Sequence, residues 1–272
     1  MIGKSFTYNL IFFCAVLAGY FAFTDLQISK LIVDRQAGWA IFLQRFGELP
    51  GLLVLFSGTH IYLSKYTPAF KLKKIFVLAF LYSAAIYLSR FIFVVIYSGF
   101  TGNYLLIDNN FWTLILTFAV LNIIVFALVR KVNFTERILR FGKVSVLLGL
   151  FGYLLSVQPI KHLWGRVRFR DLDSLYSAFT PWFIPNGING NTSFPSGHSA
   201  MAWMILPLLI LVPVRNKISR SILLLIIIAW GLAVSLSRIV AGAHYASDVL
   251  FSACIVIFIF TYLHNKYFIR NL

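Results

Sequence analysis

Three short segments in the last 112 residues hold the side chains needed to grip a phosphate and break its ester bond. The first, Lys161-x6-Arg168, supplies two cations. A lysine offers a compact charge and an arginine a planar fork, and both suit phosphate oxygens. A helix continuing from Lys161 to Arg168 would turn both toward one point. The second, Pro195-Ser196-Gly197-His198, reads as a helix start. Its Ser196 and Gly197 N–H groups are expected to face an anion, with Gly197 allowing close approach. The third is Ser237-Arg238-x5-His244-x3-Asp248. On a helix, His244 and Asp248 share a face. A carboxylate on one ring nitrogen fixes the tautomer and makes the other a better nucleophile or base. Gly242, between Arg238 and His244, predicts a turn there. Alone, each segment also reads as a snorkelling basic cluster, a capped helix or a surface His–Asp pair. Their joint occurrence, with complementary roles, carries the chemical reading.

The elements that must position these residues are membrane spans. The chain of 272 residues is 60% hydrophobic and 12% charged, with a mean hydropathy of +0.86. A soluble domain carries about 25% charged residues. Apolar runs at about 6–24, 49–64, 75–97, 111–129, 142–160, 197–213, 220–237 and 247–265 predict an all-α polytopic transmembrane bundle of about eight spans, with six to eight admissible. These runs are too long and too uniformly apolar for a β-barrel. The run behind Lys4 is long enough to be a retained first span. Residues 26–47, broken at Asp34, Arg35 and Gly38, read as an amphipathic interfacial segment. Two regions follow: N-terminal spans over 1–140 and a catalytic core over 141–272.

Charge orients the bundle. With the N-terminus inside, the inner segments hold 15 of the 24 Lys and Arg, and loop 98–110 on the outer side has none. All three motifs then fall on the extracytoplasmic face of what is expected to be a bacterial cytoplasmic membrane. The net charge of +16 lies in short loops between apolar runs, which argues against nucleic-acid binding. Residues 161–196 form the longest loop and read as functional.

Other residues carry looser expectations. Arg166 and Arg170 alternate with Arg168 and are candidates for a second phosphate or an anionic headgroup. Arg90 lies inside a span, where arginine is costly, and would snorkel outward or brace the site. Trp164, Trp182 and Trp203 fit an interfacial aromatic belt. His60, His162 and His264 read as interfacial or packing residues. Cys14 and Cys254, both in apolar runs, read as free buried thiols.

At these motifs the chain resembles the type 2 phosphatidic acid phosphatases, of the superfamily that includes bacterial acid phosphatases and vanadium haloperoxidases. The family signature runs Lys-x6-Arg-Pro, Pro-Ser-Gly-His and Ser-Arg-x5-His-x3-Asp. It is met at Lys161, Arg168, Pro195, Ser196, Gly197, His198, Ser237, Arg238, His244 and Asp248, with Phe169 in place of the proline. The resemblance covers about residues 145–265. It implies a lipid phosphate phosphatase in which His244 forms a phosphohistidine, Asp248 backs it, and His198 protonates the leaving oxygen. Lys161, Arg168, Arg238, Ser196 and Gly197 would bind the phosphate. It also implies no metal and no other cofactor. The expected partners are membrane lipids and a lipid phosphate substrate such as undecaprenyl diphosphate, phosphatidylglycerol phosphate or phosphatidic acid. The alternatives are a phosphotransferase on the same site and a non-enzymatic lipid-phosphate transporter.

Overall fold

A backbone in lipid must satisfy its hydrogen bonds within its own segment, so each apolar run becomes a helix. The structure, a computed structural model, describes residues 4–65, 71–102 and 111–269, and among these it is helical with no strand. In chain order the helices are α1 (Lys4–Ile32), α2 (Gly38–Phe46), α3 (Leu49–Lys65), α4 (Lys71–Thr101), α5 (Phe111–Arg130) and α6 (Glu136–Leu148). A π-helical stretch, Gly149–Val157, carries α6 into α7 (Gln158–Trp164). Beyond the long loop come α8 (Gly197–Trp203), a 3-10 turn at Leu206–Ile210, α9 (Lys217–Val240) and α10 (Ala246–His264). Seven helical stretches among the described residues are long and apolar enough to cross a membrane, and Gly197–Ile210 is a shorter apolar one. Each of the eight expected runs therefore falls on one of these stretches. Part of the basic loop 65–74 (66–70), most of loop 98–110 (103–110) and Arg270 lie outside the described residues.

Helices α3, α6, α8, α9 and α10 enclose a core built on Leu52, Val144, Leu148, Met204, Ile227 and Val256. Large apolar residues such as Phe12, Phe23 and Trp112 face outward, as lipid-facing surfaces do. Lipid supplies no hydrophobic drive between helices, so close backbone approach must hold them together. Glycines provide it. A Cβ at Gly58 of α3 would stand 2.4 Å from the Ser145 Cβ of α6, and one at Gly51 would meet the Met201 carbonyl of α8 at 2.0 Å.

Three expectations are corrected here. Residues 26–47 are not one segment: 26–32 extend α1, and α2 packs on α9 after a turn. Trp203 is buried, not in an interfacial belt, because Gly231 leaves room for its indole against α9. Cys14 and Cys254 are joined as a disulfide between the neighbouring helices α1 and α10, not free.

The α3–α6 contact yields a test. Gly58→Ala should destabilise the protein by about 1–3 kcal/mol through overpacking. Adding Ser145→Gly, which removes the facing Cβ, should recover most of the loss. Thermal midpoints in detergent micelles measure both; no recovery would mean that the contact does not set the helix separation.

Candidate active site

Local chain geometry places the motif residues. Helix α7 ends at Gly165 with φ +62, where a Cβ would sit 2.0 Å from the Gly187 carbonyl oxygen. The helix therefore does not continue to Arg168, which is extended at φ −74 and ψ 150. Ser196 caps α8, its side chain accepting the Ser199 N–H, and His198 lies in the first turn. Helix α10 begins only at Ala246, so His244 precedes the helix that carries Asp248. The turn at Gly242, φ +65, joins α9 to this segment, with the Ala243 and His244 amides both donating to the Arg238 carbonyl.

The three motifs are bonded to one another. Lys161 Nζ donates to the Pro195 carbonyl at 3.3 Å, and Arg168 Nη2 to Thr192 Oγ1 at 3.1 Å. The Ser196 amide donates to the Asp248 carbonyl at 3.1 Å. That amide is thus committed to the fold and does not face an anion, contrary to expectation; the Ser196 carbonyl in turn accepts from Ser252 Oγ at 2.7 Å. A Cβ at Gly197 would stand 3.4 Å from the Tyr153 hydroxyl.

His244 is 2% exposed and its Nδ1 lies 3.4 Å from Asp248 Oδ2. Lys161 and Arg238 lie within electrostatic reach of its ring. Burial, the largest influence, and these two cations push the imidazole down to about 3, against the opposing pull of Asp248. At neutral pH the ring is therefore uncharged, as a nucleophile must be. Arg238 is buried, and its Nε and Nη1 have no hydrogen-bond partner. An unpaired buried guanidinium is expensive, and an anion would relieve it. His198 lies within electrostatic reach of Arg238, His244 and Lys161.

Behind Asp248 stands a group that sequence reasoning misassigned. Arg166 is fully buried and is not a headgroup contact. Its Nη1 donates to Asp248 Oδ1 at 2.7 Å and Ser247 Oγ at 2.9 Å, its Nη2 to Asp25 Oδ2 at 2.9 Å, and its Nε to the Thr180 carbonyl at 2.9 Å. The guanidinium also stacks on Tyr245, 4.0 Å from the ring centroid. Arg170 has a half-buried side chain whose Nε lies 3.7 Å from Asp171 Oδ1. Arg90 stacks on Phe111 at the start of α5.

Two further carboxylates were missed. Asp25 of α1 accepts from Arg166, the Ser247 amide and the Ser247 hydroxyl. Glu48, between α2 and α3, places Oε1 3.1 Å from His198 Nδ1. The only signal for either was a lone acid beside an apolar run, which names no partner.

The fold and site together define a helical bundle of membrane-spanning length in which Lys161, Arg168 and Arg238 gather near a histidine backed by a carboxylate. Residues 142–271 match the family model described as the PAP2 superfamily, consistent with a member of that superfamily. No curated protein and no solved structure matches the chain. The superfamily generally hydrolyses phosphate esters, which supports a phosphatase-type function on lipid phosphates in an integral membrane protein.

Two outcomes are expected. Breaking a buried ion pair costs about 3–5 kcal/mol, so Asp25→Ala should lower the thermal midpoint sharply although it lies outside the matched domain. The depressed His244 makes stability pH-dependent. Above its ordinary value of 6.5 the ring is neutral in both folded and unfolded chains. As pH falls from 6.5 toward 3, the unfolded chain binds a proton that the folded one refuses, so stability drops. The midpoint should fall more between pH 7 and 4 in the native protein than in His244→Gln.

Proposed function

We propose that the protein is a lipid phosphate phosphatase working through a phosphohistidine, with its active site on the extracytoplasmic face. The observation that carries this reading is Arg238, buried with two unpaired nitrogens, within electrostatic reach of a neutral His244 backed by Asp248.

His244 turns Nδ1 toward Asp248, which leaves Nε2 for phosphorus. In-line attack forms the N–P bond as the P–O bond to the lipid breaks. His198 turns Nδ1 toward Glu48, and we assign its Nε2 as the group that gives its proton to the departing oxygen. Water then attacks phosphorus, His198 takes the water's proton, and phosphate leaves with His244 restored. Lys161, Arg168, Arg238 and the backbone at Gly197 hold the equatorial oxygens. Positioning and charge stabilisation are the main demands of phosphoryl transfer. Arg170, with its partly exposed guanidinium, is the remaining candidate for a second phosphate. Undecaprenyl diphosphate, phosphatidylglycerol phosphate and phosphatidic acid are the substrate classes to test, and a bacterial cytoplasmic membrane the proposed setting.

Phosphate release from a panel of these lipids decides the matter. His244→Ala should fall to background, and His198→Ala by about 10²–10⁴-fold. Undiminished release by His244→Ala would overturn the reading, and label transferred to a lipid hydroxyl instead of water would make the protein a transferase. Glu48→Gln separates positioning from folding. It should slow an alkyl lipid phosphate by about tenfold or more, yet slow a nitrophenyl phosphate far less, because that leaving group needs no proton. Equal losses on both would remove Glu48 from any role through His198.

A further inference from the structure

An apolar cavity of about 470 Å³ lies between α3, α4 and the α6–α7 rod. Three of the elements around it carry or directly follow groups of the candidate site, each a short way along the chain. On α3, Leu52 lines the cavity four residues after Glu48. On α7, Gln158 lines it three residues before Lys161, and on α8, Met201 does so three residues after His198. Tyr153 links the two regions: it lines the cavity, and its hydroxyl would lie 3.4 Å from a Cβ on Gly197. The cavity thus begins about one helical turn, roughly 5 Å, beneath the catalytic layer. Along α4 it runs from Phe91 to Phe80, about 16 Å by helical rise, or half the hydrocarbon thickness of a bilayer. Phe80, Tyr87 and Leu154, exposed on the lipid-facing surface, form its lateral rim.

We propose that this cavity seats one hydrocarbon chain of the substrate lipid, running down from a phosphate held at His244. The inference rests on the phosphatase reading and adds where the tail goes. Its physics is positional. A chain leaving the bilayer for an apolar slot gains little, because lipid tails are as apolar as leucine. What the slot supplies is alignment: a tail threaded between α3, α4 and the π-helical stretch fixes the approach of its head to the catalytic histidines, and such alignment acts on kcat/KM. The slot therefore selects a phosphate carried on a long, flexible chain, and the rest of the lipid remains in the bilayer.

Ala84, on α4, lines the slot. Ala84→Trp should fill the slot. The purified full chain would be assayed on two alkyl phosphates with the same head, one long-chained and one short enough to be water-soluble. We expect kcat/KM to fall about tenfold or more on the long ester and to stay unchanged on the short one. Unchanged rates on both would overturn the proposal. Equal loss on both would point to damage at the site, and a second measurement then decides. A long-chain phosphonate bearing a mid-chain diazirine should label 80–91 and 145–158 in the native protein. Labelling confined to lipid-facing residues outside the slot would sink the idea. Failure of the phosphatase reading looks different: neither ester would release phosphate above the His244→Ala background.

Discussion

A guanidinium with no access to water, held between two buried carboxyl groups from opposite ends of the chain, is the constraint on which the site depends. Taking Arg166, Asp25 and Asp248 out of water costs several kcal/mol per ion unless each is met by good hydrogen bonds. Here they are met: Arg166 donates to Asp25, Asp248, Ser247 and the Thr180 carbonyl, and its remaining face is covered by Tyr245. The arrangement tolerates almost no displacement. Because α1, the 161–196 loop and α10 each contribute a member, it fixes their relative positions. Asp248 then has one oxygen on Arg166 and the other receiving the Tyr245 amide and the Ser193 hydroxyl. A carboxylate so held is fixed in place, and the His244 ring stands with Nδ1 3.4 Å from it.

The cations of the three motifs are treated differently. Lys161 and Arg168 each make one bond to the loop, to Pro195 and Thr192 respectively. A lysine has three donors and an arginine five, so most of their capacity is left over. Arg238 goes further, with two buried nitrogens bonded to nothing. The contrast between a saturated guanidinium at 166 and an unsaturated one at 238 separates a structural cation from one proposed to bind ligand. Identity and spacing cannot draw that line, since both are arginines beside motif residues.

This explains what could be read from the residue order and what could not. The helical bundle was legible because span length and hydropathy follow from the bilayer itself. That the three motifs would meet was legible because their residue types complement one another, and the structure does bring Lys161, Ser196, Arg238, His244 and Asp248 together. Arg166 was misread because alternation along Arg166, Arg168 and Arg170 suggested one exposed strip. The left-handed Gly165 and the 3-10 turn at Phe169–Asp171 instead send neighbouring side chains to different environments. Ser196 was misread because a helix-start residue suggests a free amide, and only the packing of α8 against α10 shows it donating to Asp248. The Cys14–Cys254 pairing and Glu48 escaped for the same reason: partners 240 and 150 residues away leave no local trace.

The matched segment, residues 142–271, does not hold all the charged groups that meet at the candidate site. It contains His198, His244, Asp248, Lys161, Arg168 and Arg238, but not Asp25 or Glu48. Without Asp25, Arg166 would be a buried charge with half its acidic partners missing, pulling on the oxygen that positions Asp248. Without Glu48, nothing acidic would face Nδ1 of His198. Both acids arrive on helices that also shape the apolar surroundings of the site: α1 covers α10, and α3 forms a wall of the cavity beneath it. The N-terminal half therefore supplies counter-charges above and hydrocarbon contacts below. That coupling gives a physical reason why a membrane phosphatase would carry more spans than its phosphate chemistry alone requires.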